Sequence, residues 1–174
     1  MNICLIGKGL TNLILAKNLV NKKIKVSLFY TKKKQNKTSI RTVGIPKDNL
    51  NFIIKNNVNI NPKGWSIRDI KIYNEVNKIE EIFNFSALDD YRFSIFKNDD
   101  VYKKFENSLR NNKNFTIKEI KNNLFYNKIL SNNKYDIIIN SETNNQISKK
   151  FFYKKINKNY NSCAFTTIIK HNFG

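Results

Sequence analysis

A glycine-containing loop near the amino terminus constrains the fold of this 174-residue chain more than any other feature. The apolar residues 2–6 run directly into Gly7 and Gly9, and residues 10–21 follow with apolar side chains at helical spacing. A strand that turns sharply into a helix needs a residue without the steric limits of a Cβ atom. Residues 25–30 then form a second apolar segment, so this part of the chain predicts a right-handed βαβ unit with parallel strands.

Such a unit is typical of domains that bind a dinucleotide. The backbone must approach a pyrophosphate closely, and the pyrophosphate lies on the amino-terminal end of the helix. Gly7 and Gly9 predict this close approach through their backbone amides, and Leu10 and Thr11 form the first turn of the predicted helix. These four residues are therefore candidate cofactor-binding residues.

Two positions of this fingerprint depart from the usual pattern. Asn12 stands where the third glycine normally allows tight packing, so we expect the helix to stand away from the strand or the turn to shift. Tyr30 stands where an acidic residue normally binds the ribose, and it can offer only one hydrogen bond there. Lys32, Lys33 and Lys34 follow; they indicate either a site for the 2′-phosphate of NADP or a solvated loop.

The rest of the chain predicts a mixture of helices and strands. Asp99 and Asp100 favour the start of a helix over residues 99–111. The middle block is expected to be antiparallel, and residues 135–140 are expected to be buried in the parallel sheet. Strands are predicted over residues 67–73, 79–85, 91–96, 115–120, 124–130, 135–140 and 162–170, a short helix over 50–57, and an apolar stripe of Val101, Phe105 and Leu109.

The net charge of +19 favours a partner with an anionic surface, either a nucleic acid or a membrane. However, Lys, Asn, Ile, Phe and Tyr are all abundant, as AT-rich codons would produce, and the lysines are spread along the chain. Arginine, which nucleic-acid-binding proteins favour, occurs only four times. We therefore expect no specific nucleic-acid partner, and only weak contact with anionic surfaces such as a membrane.

The cysteines and the histidine exclude the commonest metal site. Cys4 and Cys163 lie in separate apolar runs, and His171 is the only histidine, so the ligands of a zinc site are missing. Two buried thiols in a reducing cytoplasm are the simplest interpretation. The sequence shows no signal peptide and no apolar run of about 18 residues that would predict a membrane-spanning helix.

Six stretches, in order, resemble one known family. They are "IGKGLTNLILAKNLV", "RTVGI", "GWSIRDIKIYN", "FSIFKNDDVYKKFENSL", "YDIIINSETNNQISKKF" and "YNSCAFTTIIKH". Together they resemble the amino-terminal half of the FAD-dependent aromatic hydroxylases of ubiquinone biosynthesis, which belong to the para-hydroxybenzoate hydroxylase-like monooxygenases. Each match is short, but the order and spacing cover nearly the whole chain.

The resemblance implies an α/β fold in which a Rossmann-like FAD-binding domain is interrupted by antiparallel segments of a substrate domain. The first would comprise residues 1–63 and 97–155, the second residues 64–96 and 156–174. FAD would be reduced by NAD(P)H and would support hydroxylation of a prenylated aromatic ring. The resemblance also implies a cytoplasmic protein at the periphery of the inner membrane, in complex with other proteins of ubiquinone biosynthesis.

The same resemblance assigns two further cofactor-binding residues and raises one doubt about catalysis. Arg41 would contact the FAD phosphate or the flavin edge, and Glu142 would replace a motif aspartate. The family's second arginine would fall near Asp99, and its second FAD motif would lie downstream of Gly174. We therefore expect a truncated, incomplete or impaired enzyme. The alternatives are a non-catalytic NAD(P)- or FAD-binding scaffold, or a basic module that binds nucleic acid or membrane surfaces.

Overall fold

The computed structural model of the chain describes residues 1–32, 41–56, 58, 64–75, 79–86, 93–122, 124–131, 133–152, 154, 156 and 158–163. In this part of the chain the helices are α1 (Leu10–Asn21), α2 (Lys47–Lys55), α3 (Asn98–Arg110), α4 (Leu124–Ser131) and α5 (Gln146–Phe151). The strands are β1 (Asn2–Ile6), β2 (Lys25–Tyr30), β3 (Thr42–Pro46), β4 (Trp65–Ile67), β5 (Asp69–Glu75), β6 (Ile79–Ser86), β7 (Phe93–Lys97), β8 (Phe115–Glu119) and β9 (Ile137–Asn140).

The first sheet is parallel and contains the predicted βαβ unit. Its strand order is β8-β2-β1-β9. Leu5 in β1 pairs with Leu28 in β2 on one side and with Ile139 in β9 on the other. The elements β1, α1 and β2 have the predicted bounds, and α1 forms the crossover between the two strands. This confirms the predicted βαβ unit and its parallel strands.

The core of the protein lies on both faces of this sheet. Successive residues of a strand point to opposite faces. Leu5 therefore packs with Leu13 of α1 on one face. Cys4 and Ile6 pack with Tyr126 of α4 on the other face. Burial on both faces explains why β1 is continuously apolar.

Helix α3 packs against α1 and confirms the predicted apolar stripe. Val101, Phe105 and Leu109 are almost completely buried in the same cluster as the α1 side chains. Lys17 of α1 also donates to the main-chain oxygen of Ser108 at 3.4 Å. Helix α3 is thereby fixed beside α1.

The remaining strands are antiparallel, as predicted for the middle of the chain. Strand β7 lies between β3 and β4, and β5 pairs with β6 in a two-stranded sheet. Ile72 of β5 pairs with Phe83 of β6, and Ile70 pairs with Phe85. Together with the parallel sheet and the helices, these two antiparallel sheets confirm the predicted α/β fold class. The division into FAD-binding and substrate domains stays a prediction.

Three local predictions need correction, and two elements were missed. Residues 124–130 form helix α4 and not a strand, because burial of Tyr126 and Ile129 fits helical spacing. Strand β9 is at an edge of the sheet, which leaves Ile137 44% exposed. Strand β3 and helix α5 were not predicted from the sequence. Of the predicted last strand, residues 162 and 163 are not in a strand, and residues 164–170 lie outside the described part.

None of the helices in the described part of the chain is both long and apolar enough to cross a bilayer.

The two cysteines are expected to react very differently. Cys4 is 0% exposed in β1, and burial raises the pKa of its thiol from an ordinary 9.0 to about 12. Cys163 is exposed, so the expectation that both thiols are buried is wrong. A thiol reagent at mildly alkaline pH should therefore label Cys163 alone, as peptide mass spectrometry can measure. Equal labelling of Cys4 before unfolding would contradict this.

The burial of Cys4 also determines how the stability of the protein changes with pH. The pKa of Cys4 is higher in the folded protein than in the unfolded chain. Below pH 9.0 the neutral thiol of Cys4 therefore makes its full contribution to the free energy of unfolding. This contribution declines as the pH rises from 9.0 towards about 12.

Candidate nucleotide-binding site

The candidate site lies where three parallel strands end at the same edge of the sheet. Gly7 follows β1, Thr31 follows β2, and Glu142 lies two residues after β9. In open sheets of this kind, ligands bind outside the carboxyl ends of the strands. The glycine-containing loop, the end of β2 and the segment after β9 therefore meet at this edge of the sheet.

Gly7 permits the loop to pass closely beside the segment after β9. Its φ angle is +104°, which side chains strongly disfavour. A Cβ atom at Gly7 would lie 2.6 Å from Ser141 Oγ and 2.9 Å from Glu142 Cγ. Its N–H group donates to the main-chain oxygen of Phe29 at 2.7 Å. The structure thus gives Gly7 a packing role, and its contact with a pyrophosphate stays a prediction.

Gly9 lies at the start of α1 and faces open space. Its φ and ψ angles are −80° and 161°, and a Cβ atom there would meet no atom within 4 Å. No side chain caps α1, and its first turn contains no acidic residue. The first N–H groups of a helix have no partners within the helix, so Leu10 and Thr11 present a positive end. This surface suits a phosphate group.

The side chain of Asn12 forms hydrogen bonds that connect parts of the site. A glycine at this position would only leave room for close packing. The Asn12 side chain is 1% exposed. Its Nδ2 atom donates to the main-chain oxygens of Ile6 at 3.0 Å and Gly7 at 2.8 Å, and to Ser141 Oγ at 2.9 Å. The side chain therefore fills the space between β1, α1 and the end of β9. This role of Asn12 is not apparent from the sequence pattern, in which the residue only replaces a glycine.

At the end of β2, the aromatic ring of Tyr30 stands in place of an acidic residue, and a cation from the glycine-containing loop lies near this ring. Tyr30 is half-buried, and Lys8 Nζ lies 5.0 Å from the centre of its ring. Lys8 Nζ also forms an ion pair with Glu106 Oε1 of α3 at 2.7 Å. This contact links the glycine-containing loop to α3.

Glu142 reaches from the segment after β9 to the end of β2. Its Oε1 and Oε2 atoms lie 3.5 Å and 3.4 Å from Thr31 Oγ1. Burial raises the pKa of Tyr126, and the negative charge of Glu142 raises it further, while a hydrogen bond with Asn145 lowers it. The carboxylate of Glu142 is thus close to Thr31, and its Cγ atom is close to Gly7.

A polar network that sequence analysis missed holds this segment in place. Asn140 Nδ2 donates to the main-chain oxygen of Glu142 at 3.1 Å and to Ser148 Oγ at 2.7 Å. Ser148 Oγ also donates to the main-chain oxygen of Glu142. Asn145 caps α5 by accepting from the N–H group of Ser148 at 2.8 Å. Asparagine is one of the preferred residues at the start of a helix, so Asn145 itself could have indicated this cap.

Arg41 belongs to the antiparallel part of the fold and not to the parallel sheet. It is exposed, precedes β3 in the antiparallel sheet, and accepts a main-chain hydrogen bond from Asn98 at 2.9 Å. Within the described residues, no contact joins its side chain to the glycine-containing loop. Its role toward FAD stays a prediction. Lys32 is exposed, while Lys33 and Lys34 lie outside the described residues.

Comparison with known proteins identifies the fold. No protein-family model and no curated protein sequence matches the chain. Among solved structures, p-nitrophenol 4-monooxygenase PnpA from Pseudomonas putida DLL-E4 is similar, with 18% identity over 67% of this chain and 31% of that chain, at a TM-score of 0.53. PqsL from Pseudomonas aeruginosa, described as a probable FAD-dependent monooxygenase, has 11% identity over 68% and 32%, at a TM-score of 0.53.

A third similar structure is the tetrameric form of 2-methyl-3-hydroxypyridine-5-carboxylic acid oxygenase, with 11% identity over 67% of this chain and 31% of that chain, at a TM-score of 0.50. At such low identity these structures establish the fold alone. The chain spans about a third of the length of the proteins it matches. Its fold is the mixed α/β, Rossmann-like fold that occurs in structures of monooxygenases.

Proposed function

We propose that the chain is an FAD-binding part of a flavin-dependent aromatic hydroxylase. The observation that carries this proposal is the open backbone at Gly9, located at the start of α1 and at the carboxyl edge of the parallel sheet. The likeness to PnpA and PqsL supports the choice of FAD over other dinucleotides. The first turn of α1 would hold the pyrophosphate, and the adenosine would extend towards Tyr30 and Thr31.

The residues present fit this part of FAD. A Cβ atom would obstruct the approach at Gly9, whereas the glycine leaves it open. Asn12 fixes the loop in one conformation, so its N–H groups need little reorganisation to meet a phosphate. When bound, FAD would supply the redox chemistry of the reaction. The protein residues described here would bind and orient it.

The finer assignment is a prenylated aromatic ring as substrate, in ubiquinone biosynthesis, with NAD(P)H as the reductant. The order of the six family-like stretches supports it. An apolar substrate also suits the two-stranded sheet, where Ile72, Phe83 and Phe85 are 45%, 55% and 50% exposed. Contact with a membrane surface and with other proteins of the same pathway belongs to the same proposal.

Substitution of Gly9 by alanine tests the proposal directly. The added methyl group would meet no protein atom but would stand where the pyrophosphate must approach. We expect FAD to bind about tenfold or more weakly, which corresponds to about 1.4 kcal/mol. Titration followed by flavin fluorescence measures the affinity, and thermal unfolding should show a loss of at most about 1 kcal/mol, because alanine is a poorer helix cap than glycine.

The same variant distinguishes FAD binding at a specific site from attraction of FAD to the positive charge of the whole protein. Gly9→Ala leaves the net charge of +19 unchanged. Binding that depends only on charge would be equal in the two proteins and would be lost at raised salt concentration. That result would contradict an FAD site and would favour the alternative, a module that binds nucleic acid or anionic membranes.

A further inference from the structure

The parallel sheet lacks the acidic residue that normally binds the adenosine ribose at the end of β2. In dinucleotide-binding domains that acid accepts hydrogen bonds from the ribose, and its replacement near a cation accommodates a 2′-phosphate. Tyr30 occupies this position here. Two other carboxylates lie at the same edge of the sheet. Glu119 ends β8, where it pairs with Tyr30, and Glu142 follows β9 on the opposite side of β1.

The position of Glu142 is the better of the two for a ribose. Its carboxylate lies 3.4 Å from the Oγ1 atom of Thr31, which is the residue that follows Tyr30 in the sequence. Its Cγ atom lies against Gly7. It therefore stands between the ends of β1 and β2, beside the loop that would hold the pyrophosphate. Glu119 is exposed and is one strand farther from the loop than Tyr30.

The carboxylate of Glu142 is also free to accept from a ligand. Among the described residues, its contacts are with the hydroxyl of Thr31 and, through its charge, with Tyr126. No lysine or arginine of the described part forms an ion pair with it. Two carboxylate oxygens provide about four acceptor sites, which is enough for Thr31 and a ribose diol together.

We propose that Glu142 replaces the missing acid of β2: it accepts hydrogen bonds from the ribose hydroxyls of the adenosine, and its charge excludes a 2′-phosphate. The site would thereby select dinucleotides with a free ribose diol, such as FAD, over 2′-phosphorylated ones. This inference rests on the proposed function, because it requires a dinucleotide on the glycine-containing loop.

Glu142→Gln is a suitable test because the fold does not depend on the carboxylate. The polar network with Asn140 and Ser148 uses the main-chain groups of Glu142, which the substitution retains. Glutamine has nearly the same shape and can still accept from Thr31. Glu119→Gln removes the same charge at the same edge of the sheet and serves as the matched control.

The experiment measures the affinity of each protein for ADP-ribose and for 2′-phospho-ADP-ribose by calorimetry. We expect the wild type to prefer ADP-ribose. In Glu142→Gln, ADP-ribose should bind about tenfold more weakly, because charge-assisted hydrogen bonds are lost, while the 2′-phosphorylated probe should bind more tightly. Opposite changes for two probes cannot arise from partial unfolding. Glu119→Gln should retain the wild-type preference.

Three results would overturn the inference. One is an equal loss for both probes in Glu142→Gln, and another is a changed preference in Glu119→Gln. The third is a wild-type preference for the 2′-phosphate, which would favour Lys32, Lys33 and Lys34 as its binding residues. An FAD titration distinguishes a failure of this inference from a failure of the proposed function. If the wild type binds FAD but Glu142→Gln changes nothing, only this inference fails; if FAD does not bind, the proposed function fails too.

Discussion

Replacement of Gly7 by alanine is expected to destabilise the protein by roughly 3–5 kcal/mol, the sum of backbone strain and overpacking. The φ angle of +104° places Gly7 where a side chain is strained in any surroundings. In addition, the new methyl group would overlap Ser141 Oγ and Glu142 Cγ. Because a domain of this size is stable by only about 5–15 kcal/mol, this loss is a large fraction of the total.

Chemical denaturation of Gly7→Ala and Gly9→Ala measures this effect against a control from the same loop. The two substitutions add the same methyl group two residues apart, but Gly9 has an ordinary φ angle and open space. Gly9→Ala should therefore lose less than about 1 kcal/mol. Similar stabilities for the two variants would show that the loop adapts and that the close approach to Ser141 contributes little.

A double-mutant cycle with Ser141→Ala separates the two causes. Removing Oγ relieves the shortest overlap, the 2.6 Å contact with the new Cβ atom, but leaves the strained φ angle. We expect Ser141→Ala to be less damaging in the Gly7→Ala background than in the wild type. Strict additivity would show that the overlap with Ser141 Oγ contributes nothing to the loss at Gly7.

The amino-terminal unit could be predicted from the sequence because its pattern is local. Residues 2–30 contain two apolar strands, one helix with apolar residues at helical spacing and the glycine-containing turn, and each can be recognised within a few residues. Residues 124–130 show where this approach fails. Their short apolar run fits a strand or a helix equally well, and only packing of Tyr126 and Ile129 against the sheet decides between them.

The candidate site could be predicted only in part, because its geometry depends on contacts between distant residues. Gly7 and Gly9 were found from their spacing. In contrast, Asn12 and Ser141 are 129 residues apart in the sequence, and Thr31 and Glu142 are 111 residues apart. Their proximity follows from the order of β2, β1 and β9 in the sheet, which no local pattern contains.

Asn12 leads to the second large prediction: restoring the glycine of the usual fingerprint should weaken the protein. Asn12→Gly removes the two N–H donors of an amide that connects β1, the loop and Ser141. At about 1 kcal/mol for each donor, we expect a loss of about 2 kcal/mol in the free energy of unfolding. The melting temperature should fall by about 4–8 °C, since each kcal/mol corresponds to about 2–4 °C in a protein of this size.

Two further variants distinguish the hydrogen bonds from the other effects of glycine. Asn12→Ala also removes the donor but keeps better helix propensity, so it should be more stable than Asn12→Gly by about 0.5–1 kcal/mol and still clearly below the wild type. Asn12→Asp keeps the shape but would place a carboxylate against the carbonyl oxygens of Ile6 and Gly7. We expect it to be the least stable at neutral pH.

The pH dependence of Asn12→Asp supplies the decisive measurement. Burial and the two facing carbonyl groups would raise the pKa of the new carboxyl group, because both disfavour its charged form. Below that pKa the protonated acid can donate a hydrogen bond again, so stability relative to the wild type should increase as the pH falls. An Asn12→Gly protein as stable as the wild type, with no such recovery in Asn12→Asp, would show that the glycine-containing loop keeps its conformation without the amide of Asn12.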